Sequence, residues 1–332
     1  MSLKDRLPPD VRRRLGRIKR AVLDQPEPVP KRRPKPKPKA EPPLPAAVAT
    51  SELSRLELRR KCIFEGRSTD SRVLEIGPAH NPILPRRDGY NTENVDYLDR
   101  AGLVDKYKAF DQYDPNDIEE VDWVLAPGAK MSDVIADRFD IVLASHVLEH
   151  TTSLIDFLNE CGALLAPDGR VALVVPDKRF TFDRFRQRSS LGRIIDLHLE
   201  PRPVHSVGTM VDFTMNAVKH RGTTAWKPGH HGNYSMVNEL DVVKQHRQRA
   251  AAQDSYIDMH NWIFTPHHLR LLLFDLEALG YIGLREETFH PTVGHEFFIN
   301  LSPSGGGPGL TREELVDLAD AELRTLDVPT WR

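Results

Sequence analysis

From about residue 50 onward, short apolar runs alternate with longer segments whose apolar residues recur at helical spacing. The short runs have the length and branched side chains of buried strands. They are Arg72–Ile76, Asn94–Tyr97, Val121–Val124, Asp140–Ala144 and Val171–Val175. Because strands alternate with helical segments, we predict an α/β fold with a Rossmann-like, doubly wound, mostly parallel sheet.

The regular alternation stops after Val175 and returns near Pro266. We therefore predict an inserted cap region over about residues 178–260. The pattern then predicts a helix over Pro266–Leu279 and two further strands, Leu284–Phe289 and Glu296–Leu301. A glycine-rich linker and a last helix follow, and Thr311 and Glu314 form a capping box at the start of this helix.

These patterns divide the chain into three parts: a basic, proline-rich, disordered tail over 1–50, an α/β domain over 51–302, and a linker with a C-terminal helix over 303–332. The first 45 residues hold 14 Lys or Arg and 5 Asp or Glu, whereas the remainder carries a net charge of −11. Nine prolines over residues 26–45 favour an extended linker. Upstream, apolar residues at helical spacing among arginines indicate either a short amphipathic helix or a solvated tail.

The tail affects the expected partners and localisation. A basic amphipathic segment suits an anionic membrane surface, and nucleic acid is the less favoured alternative because the rest of the chain is acidic. The sequence shows no secretory signal and no apolar run near the length of a membrane span, and its two cysteines suggest no disulfide framework. We expect a cytoplasmic protein that is peripheral at the inner membrane face.

A tight turn follows the first predicted strand in the segment Val73–Pro82. Glu75 lies in this strand, Gly77 begins the turn, and Asp96 ends the next strand. At the carboxyl edge of a parallel sheet, such an acid can accept hydrogen bonds from two ribose hydroxyls. A dinucleotide would need glycines and free N–H groups for its pyrophosphate, but this turn has one glycine and two prolines. A cationic, phosphate-free nucleoside cofactor is therefore favoured over NAD.

The turn resembles the first motif of class I S-adenosylmethionine-dependent methyltransferases. Phe139–His150 resembles the fourth-strand segment of the small-molecule branch, and Leu164–Arg170 resembles the turn before its fifth strand. Val175–Asp183 resembles bacterial methyltransferases that often accompany polysaccharide assembly. The family implies S-adenosyl-L-methionine as cofactor, held by Glu75, Gly77, Asn81, Asp96, Tyr97, Ser145 and His146. Ala79 stands where the family usually has a further glycine.

The reaction centre is expected beside the end of the fourth strand. Histidine titrates near neutral pH, so we predict His150 as the base for an acceptor hydroxyl and His146 as the second candidate. If a helix begins near His146, then His146, Glu149 and His150 share a face that could bind a metal. Some ubiquinone-pathway O-methyltransferases have an acid-x-x-acid-His metal site at this motif. We favour instead a role in which Glu149 and His150 orient the cofactor loop through hydrogen bonds, without a metal ion.

The acceptor is expected under the cap region, which is rich in polar and aromatic residues. The predicted substrate residues are Asp177, Arg179, His205 and His231, with Trp226, Tyr234 and Trp262 available for stacking. We predict O-methylation of a polar small molecule or glycan. A non-catalytic S-adenosylmethionine- or nucleoside-binding module is the alternative, and a nicotinamide-dependent oxidoreductase is less favoured.

Overall fold

A computed structural model describes residues 54–108, 114–126, 129–227, 232–252 and 256–324. It contains a seven-stranded sheet and a smaller three-stranded sheet. The strands are β1 Val73–Ile76, β2 Thr92–Asp96, β3 Trp123–Val124, β4 Phe139–Ser145, β5 Leu165–Pro176, β6 Val218–His220, β7 Thr223–Thr224, β8 Tyr234–Met236, β9 Arg285–Val293 and β10 Glu296–Ser302. The predicted tail over 1–50 lies outside the described residues.

Helices lie on both faces of the large sheet. They are α1 Arg55–Ile63, α2 Arg100–Tyr107, α3 Met131–Val134, α4 Leu154–Ala163, α5 Leu191–Leu199, α6 Val207–Asn216, α7 Leu240–Ala252, α8 Pro266–Ala278 and α9 Arg312–Arg324. The capping box at the start of α9 is confirmed, because the Thr311 N–H donates to Glu314 and the Glu314 N–H donates to Thr311. Among the described residues, no helix has the length and apolar character needed to span a membrane.

The large sheet has the order β3-β2-β1-β4-β5-β10-β9. Strands β1 to β5 are parallel to one another, and β10 runs antiparallel to both β5 and β9. This confirms the prediction of a doubly wound, mostly parallel sheet. The chain moves outward from β1 to β3 and then returns to β4 on the other side of β1. The loops after β1 and β4 therefore leave in opposite directions and open a crevice at the carboxyl edge.

Both faces of the sheet are buried, which explains why its strands read as continuous apolar runs. On one face, Leu74 and Val142 pack with residues of α4 and α8. On the other face, Val73 and Ile141 pack with the end of α1. The two packed faces hold the strand ends in fixed positions, and those ends carry the predicted site.

The segment between β5 and α8 contains α5, α6, the small sheet β7-β6-β8 and α7. It begins with a short 3₁₀ turn over Lys178–Phe180 and ends with an extended stretch that leads into α8. This segment corresponds to the region that the sequence predicts as a cap. Its last residues return to the main sheet beside the end of β4, where they join the candidate site.

Candidate functional site

The turn after β1 adopts a left-handed backbone at two positions. Gly77 has φ +60° and its N–H donates to the Val95 carbonyl at 2.8 Å. A Cβ added at Gly77 would lie 3.5 Å from Val147 Cγ2, an ordinary van der Waals distance, so the turns after β1 and β4 lie side by side. Ala79 has φ +47°, a conformation that glycine would adopt at lower cost. The departure from the family pattern thus falls where the backbone favours glycine.

Asp96 ends β2 beside this turn and is almost fully buried. Its Oδ1 accepts the Tyr97 N–H at 2.7 Å, and the Leu98 and Ala79 N–H groups also donate to this carboxylate. Burial raises the pKa of Asp96, and the backbone hydrogen bonds oppose that rise. The Tyr97 ring is 51% exposed at the same edge, with the Lys106 ammonium 4.9 Å from its centroid. An acid and an open aromatic ring thus flank the turn.

Glu75 faces the inside of the loop that connects β1 to β2. It is 1% exposed, and its two oxygens accept the N–H groups of Ile83 at 2.8 Å and Leu84 at 3.2 Å. Burial raises its pKa to about 7. The sequence placed Glu75 among residues that contact the cofactor directly, whereas its contacts here are with the loop backbone. Asn81, from the same predicted set, is exposed on this loop.

The turn after β4 differs from the α-helix considered in the sequence analysis. Ser145 ends the strand, His146 has φ +53°, and Leu148–His150 forms a 3₁₀ turn. The assumed helix start at His146 is therefore wrong, because a residue with positive φ cannot begin a right-handed helix. Ser145 and His146 nevertheless lie at the carboxyl edge next to the β1 turn, as predicted.

His146 is held between two buried carboxylates. Its Nε2 lies 2.9 Å from Glu296 Oε2, and its Nδ1 lies 3.5 Å from Glu149 Oε1. Burial alone would lower the pKa of His146, but the two glutamates outweigh it and raise this pKa to about 9. Glu296 also accepts two hydrogen bonds from the Arg59 guanidinium. Arg59 and Glu296 could not be linked to His146 from the sequence, because both come from distant elements.

Three more side chains meet beside His146, namely Glu149, His150 and His260. Glu149 Oε1 lies 3.8 Å from His150 Nε2 and 3.9 Å from His260 Nε2. The His150 Nδ1 is 2.7 Å from Asp258 Oδ1, and the His260 Nδ1 donates to Asp183. Burial would lower the pKa of His150, but Asp258 and Glu149 raise it overall. The pKa of Glu149 is lowered because the histidines outweigh the effect of its burial.

Backbone hydrogen bonds hold His260 beside Glu149. The N–H groups of Asn261 and Trp262 both donate to the Glu149 carbonyl, at 2.7 and 3.1 Å. The Asn261 side-chain amide donates to the Thr151 carbonyl at 3.0 Å. The end of the cap region is thus bound to the turn after β4. The sequence alone could not place His260 here, since the pairing spans more than a hundred residues.

An aromatic group covers the cluster from the cap side. The half-buried Trp226 stacks on Phe182 at 5.2 Å and lies 5.8 Å from His146 and 6.0 Å from His260, measured between ring centroids. Two other rings predicted for stacking are unsuitable. Tyr234 is 0% exposed and Trp262 is 1% exposed, because both pack into the protein interior.

The predicted substrate residues do not form one group. Asp177 is fully buried, and its oxygens are taken by the guanidinium of Arg179 and the hydroxyl of Thr292. This internal ion pair leaves Asp177 little capacity for a substrate. His205 lies closer to the cluster, since its ring is 5.1 Å from that of Tyr256, whose hydroxyl donates to the His150 carbonyl. Burial lowers the pKa of His205 to about 4. His231 lies outside the described residues.

The sequence matches a family model described as a methyltransferase domain over residues 49–275. This match covers more than half of the chain and includes β1 to β8 and most of α8. No curated protein matches the sequence significantly.

Several solved structures share low similarity with the chain. The CcbJ methyltransferase from Streptomyces caelestis is 17% identical, with 45% of this chain and 62% of that chain covered and a TM-score of 0.28. An S-adenosylmethionine-dependent methyltransferase from Methanosarcina mazei is 12% identical, with coverages of 70% and 92% and a TM-score of 0.33. A candidate zinc-dependent alcohol dehydrogenase from Rhodobacter sphaeroides is 15% identical, with coverages of 74% and 89% and a TM-score of 0.39. The chain thus spans less than two thirds of the Streptomyces protein.

Proposed function

The chain belongs to the class I S-adenosylmethionine-dependent methyltransferases, and from this premise we propose that it methylates an oxygen atom of a polar small molecule or glycan. The cofactor of this family is S-adenosyl-L-methionine, which supplies an electrophilic methyl group when bound. The protein's own task is then to align the acceptor and to help remove its hydroxyl proton.

The residues at the crevice between β1 and β4 fit this cofactor. Asp96 offers a carboxylate for ribose hydroxyls, and the Tyr97 ring offers an exposed aromatic surface. The left-handed backbone at Gly77 and Ala79, together with the hydrogen bond from the Gly77 N–H to the Val95 carbonyl, keeps the turn close to β2. Ser145, His146 and Asn81 complete the proposed cofactor-binding set. Glu75 supports this set indirectly by fixing the loop that carries Asn81.

The proposal for the acceptor depends mainly on the return of the cap region to the end of β4. The hydrogen bonds from Asn261 and Trp262 to the Glu149 carbonyl place His260 next to His150. The half-buried Trp226 ring lies over the same group. Imidazole groups suit a hydroxylated acceptor, and an aromatic face suits a sugar ring or a similar polar molecule. We place acceptor activation at His150 and His260, with His146 beside them.

The test is turnover of S-adenosylmethionine with a panel of hydroxylated small molecules and glycans. We expect S-adenosylhomocysteine to form and the product to carry the methyl group on oxygen, as determined by mass spectrometry and NMR. His150→Ala should lose about 100-fold or more in turnover, since proton removal by a positioned group typically contributes that much. N-methylation, or full activity in His150→Ala, would contradict the proposal.

Cofactor binding is measured separately by calorimetry. Asp96→Asn should bind S-adenosylmethionine about 10- to 100-fold more weakly, since a hydrogen bond to a charged group contributes roughly 1.5–3 kcal/mol. Asp99→Asn is the matched control, because Asp99 only caps α2 and asparagine caps equally well. Equal affinities in the two variants, or preferential binding of NAD by the wild type, would exclude the proposed cofactor site.

A further inference from the structure

Glu149 is a buried carboxylate to which no group in the described part of the chain donates a hydrogen bond. Its side chain is 0% exposed, and neither oxygen has a hydrogen-bond partner among these residues. A buried charge without hydrogen bonds is costly unless it is paired or coordinates a metal. His146 Nδ1 pairs with this charge at 3.5 Å but makes no hydrogen bond to it, and the other groups around Glu149 indicate what its oxygens bind.

Two of these groups are imidazole rings that direct the same atom toward Glu149. Asp258 lies 2.7 Å from the Nδ1 of His150, and Asp183 accepts a hydrogen bond from the Nδ1 of His260. In the neutral ring, the nearby carboxylate favours the proton on Nδ1, and Nε2 then has a lone pair. Both Nε2 atoms face Glu149 Oε1, at 3.8 and 3.9 Å. A carboxylate beside the far nitrogen of the ring, hydrogen-bonded in His260 and at ion-pair distance in His150, is typical of metal-ligating histidines.

The spacing of these three side chains suits one metal ion. One oxygen of Glu149 and one nitrogen from each of His150 and His260 all lie within 4.8 Å of one another. Ligands at about 2.0–2.2 Å from a tetrahedral ion are separated by roughly 3.3–3.6 Å. Side-chain movements of a few tenths of an ångström would therefore bring the three ligand atoms to coordination distance.

We propose that Glu149, His150 and His260 bind a divalent transition-metal ion of the Zn²⁺ class. Two imidazole ligands favour such an ion over Mg²⁺, which prefers oxygen ligands and retains its waters. Three protein ligands leave a coordination position open, as in catalytic zinc sites. This inference rests on the proposed function, because the open position would bind the acceptor hydroxyl and lower its pKa. His150 is then a metal ligand rather than the base predicted from the sequence.

The proposed ligand set differs from the one that sequence spacing allows. His260 takes the place of His146, because the ligand atoms that lie within 4.8 Å of one another around Glu149 belong to His150 and His260, whereas His146 groups with His295 and Glu296. A second group with suitable spacing consists of His146, His295 and Glu296. It is a weaker candidate, because both oxygens of Glu296 already accept hydrogen bonds from Arg59, at 2.8 and 2.6 Å.

The experiment measures metal binding by the full-length, metal-stripped protein, without reference to activity. Calorimetry with Zn²⁺ and Mg²⁺, and the visible absorption of added Co²⁺, should show one site per chain that prefers Zn²⁺ to Mg²⁺. Glu149→Gln and His260→Gln should each lower Zn²⁺ affinity by about 100-fold or more, and Asp258→Asn by about 10- to 100-fold. Zn²⁺ should also raise the Tm of the wild type and not that of the two ligand variants.

Two control variants separate this site from the alternatives. His146→Gln should retain Zn²⁺ affinity, which distinguishes the proposed set from the one allowed by sequence spacing. His198→Gln removes a surface histidine that pairs with Asp156 and should also bind Zn²⁺ normally. Binding that survives in folded His260→Gln, binding lost in His146→Gln, or a preference for Mg²⁺ would each overturn the inference. If the wild type binds S-adenosylmethionine but no Zn²⁺, the inference fails and the proposed function stands.

Discussion

At the scale of single residues, two buried acids hold the turns at the carboxyl edge of the sheet. Glu75 and Asp96 both accept backbone N–H groups from the turns beside them. The sequence correctly located both acids at the first two strands. It did not reveal that Glu75 points into its own loop, because the loop fold depends on tertiary contacts. The order of the motifs predicts the position of an acid, whereas its contacts follow from packing.

Glu75 should make the stability of the protein depend on pH. Burial raises its pKa to about 7 from an ordinary value of 4.5, and nearby Glu119 raises it further while Arg59 and the loop N–H groups oppose the rise. The native state therefore holds a proton that the unfolded chain releases. This contribution to stability is fully present below about pH 4.5 and is lost as the pH rises through about 7.

Urea unfolding at pH 5 and pH 8 tests this effect. In Glu75→Gln, the loss of unfolding free energy between the two pH values should be smaller than in the wild type, by an amount on the order of a few kcal/mol. Glu313→Gln, which alters an exposed acid of α9, should behave like the wild type. An unchanged difference in Glu75→Gln would show that this carboxyl is ionised throughout the range.

At the scale of elements, the site depends on how the end of the cap region binds the turn after β4. Asn261 is the centre of this contact. Its side-chain amide donates to the Thr151 carbonyl, and its oxygen accepts from the Thr209 hydroxyl and the Arg193 guanidinium. Asn261 is 2% exposed, so its side chain makes these hydrogen bonds away from solvent. The junction of α5, α6 and the turn after β4 thus depends on one side chain.

Asn261→Ala should destabilise the protein by roughly 1–3 kcal/mol, because it removes a buried amide together with its hydrogen bonds to Thr151, Thr209 and Arg193. It should also raise the KM for the acceptor while leaving the Kd for S-adenosylmethionine nearly unchanged, since the cofactor crevice lies on other elements. Urea unfolding and calorimetry measure the two effects. Asn159→Ala is the control. The exposed Asn159 side chain donates a hydrogen bond to the Tyr281 carbonyl, and its loss should lower the unfolding free energy by less. Equal destabilisation in both variants would contradict the role of Asn261.

At the scale of the whole molecule, the sequence predicted the sheet better than the site. Strands such as Val73–Ile76 and Phe139–Ser145 are buried on both faces, so their local pattern alone predicted them. The contacts of His260 and Glu296 with the turn after β4 link residues more than a hundred positions apart. The local spacing of apolar and polar residues does not encode such contacts. The cap region was recognised only as an interruption of the pattern, and its small sheet was not predicted.

The N-terminal segment leads to a prediction about the whole chain. Its 14 basic residues precede a domain region with a net charge of −11, and nine prolines separate the two. Since every proposed cofactor-binding residue lies between Glu75 and His146, deletion of residues 1–45 should leave the Kd for S-adenosylmethionine unchanged. The same deletion should abolish sedimentation with anionic liposomes, because each Lys or Arg near such a surface contributes about 1 kcal/mol of attraction. Binding by the full chain should weaken as salt is added and be absent with neutral liposomes. If the full chain does not sediment with anionic liposomes, or binds DNA more tightly than liposomes at the same salt concentration, the tail has a different role.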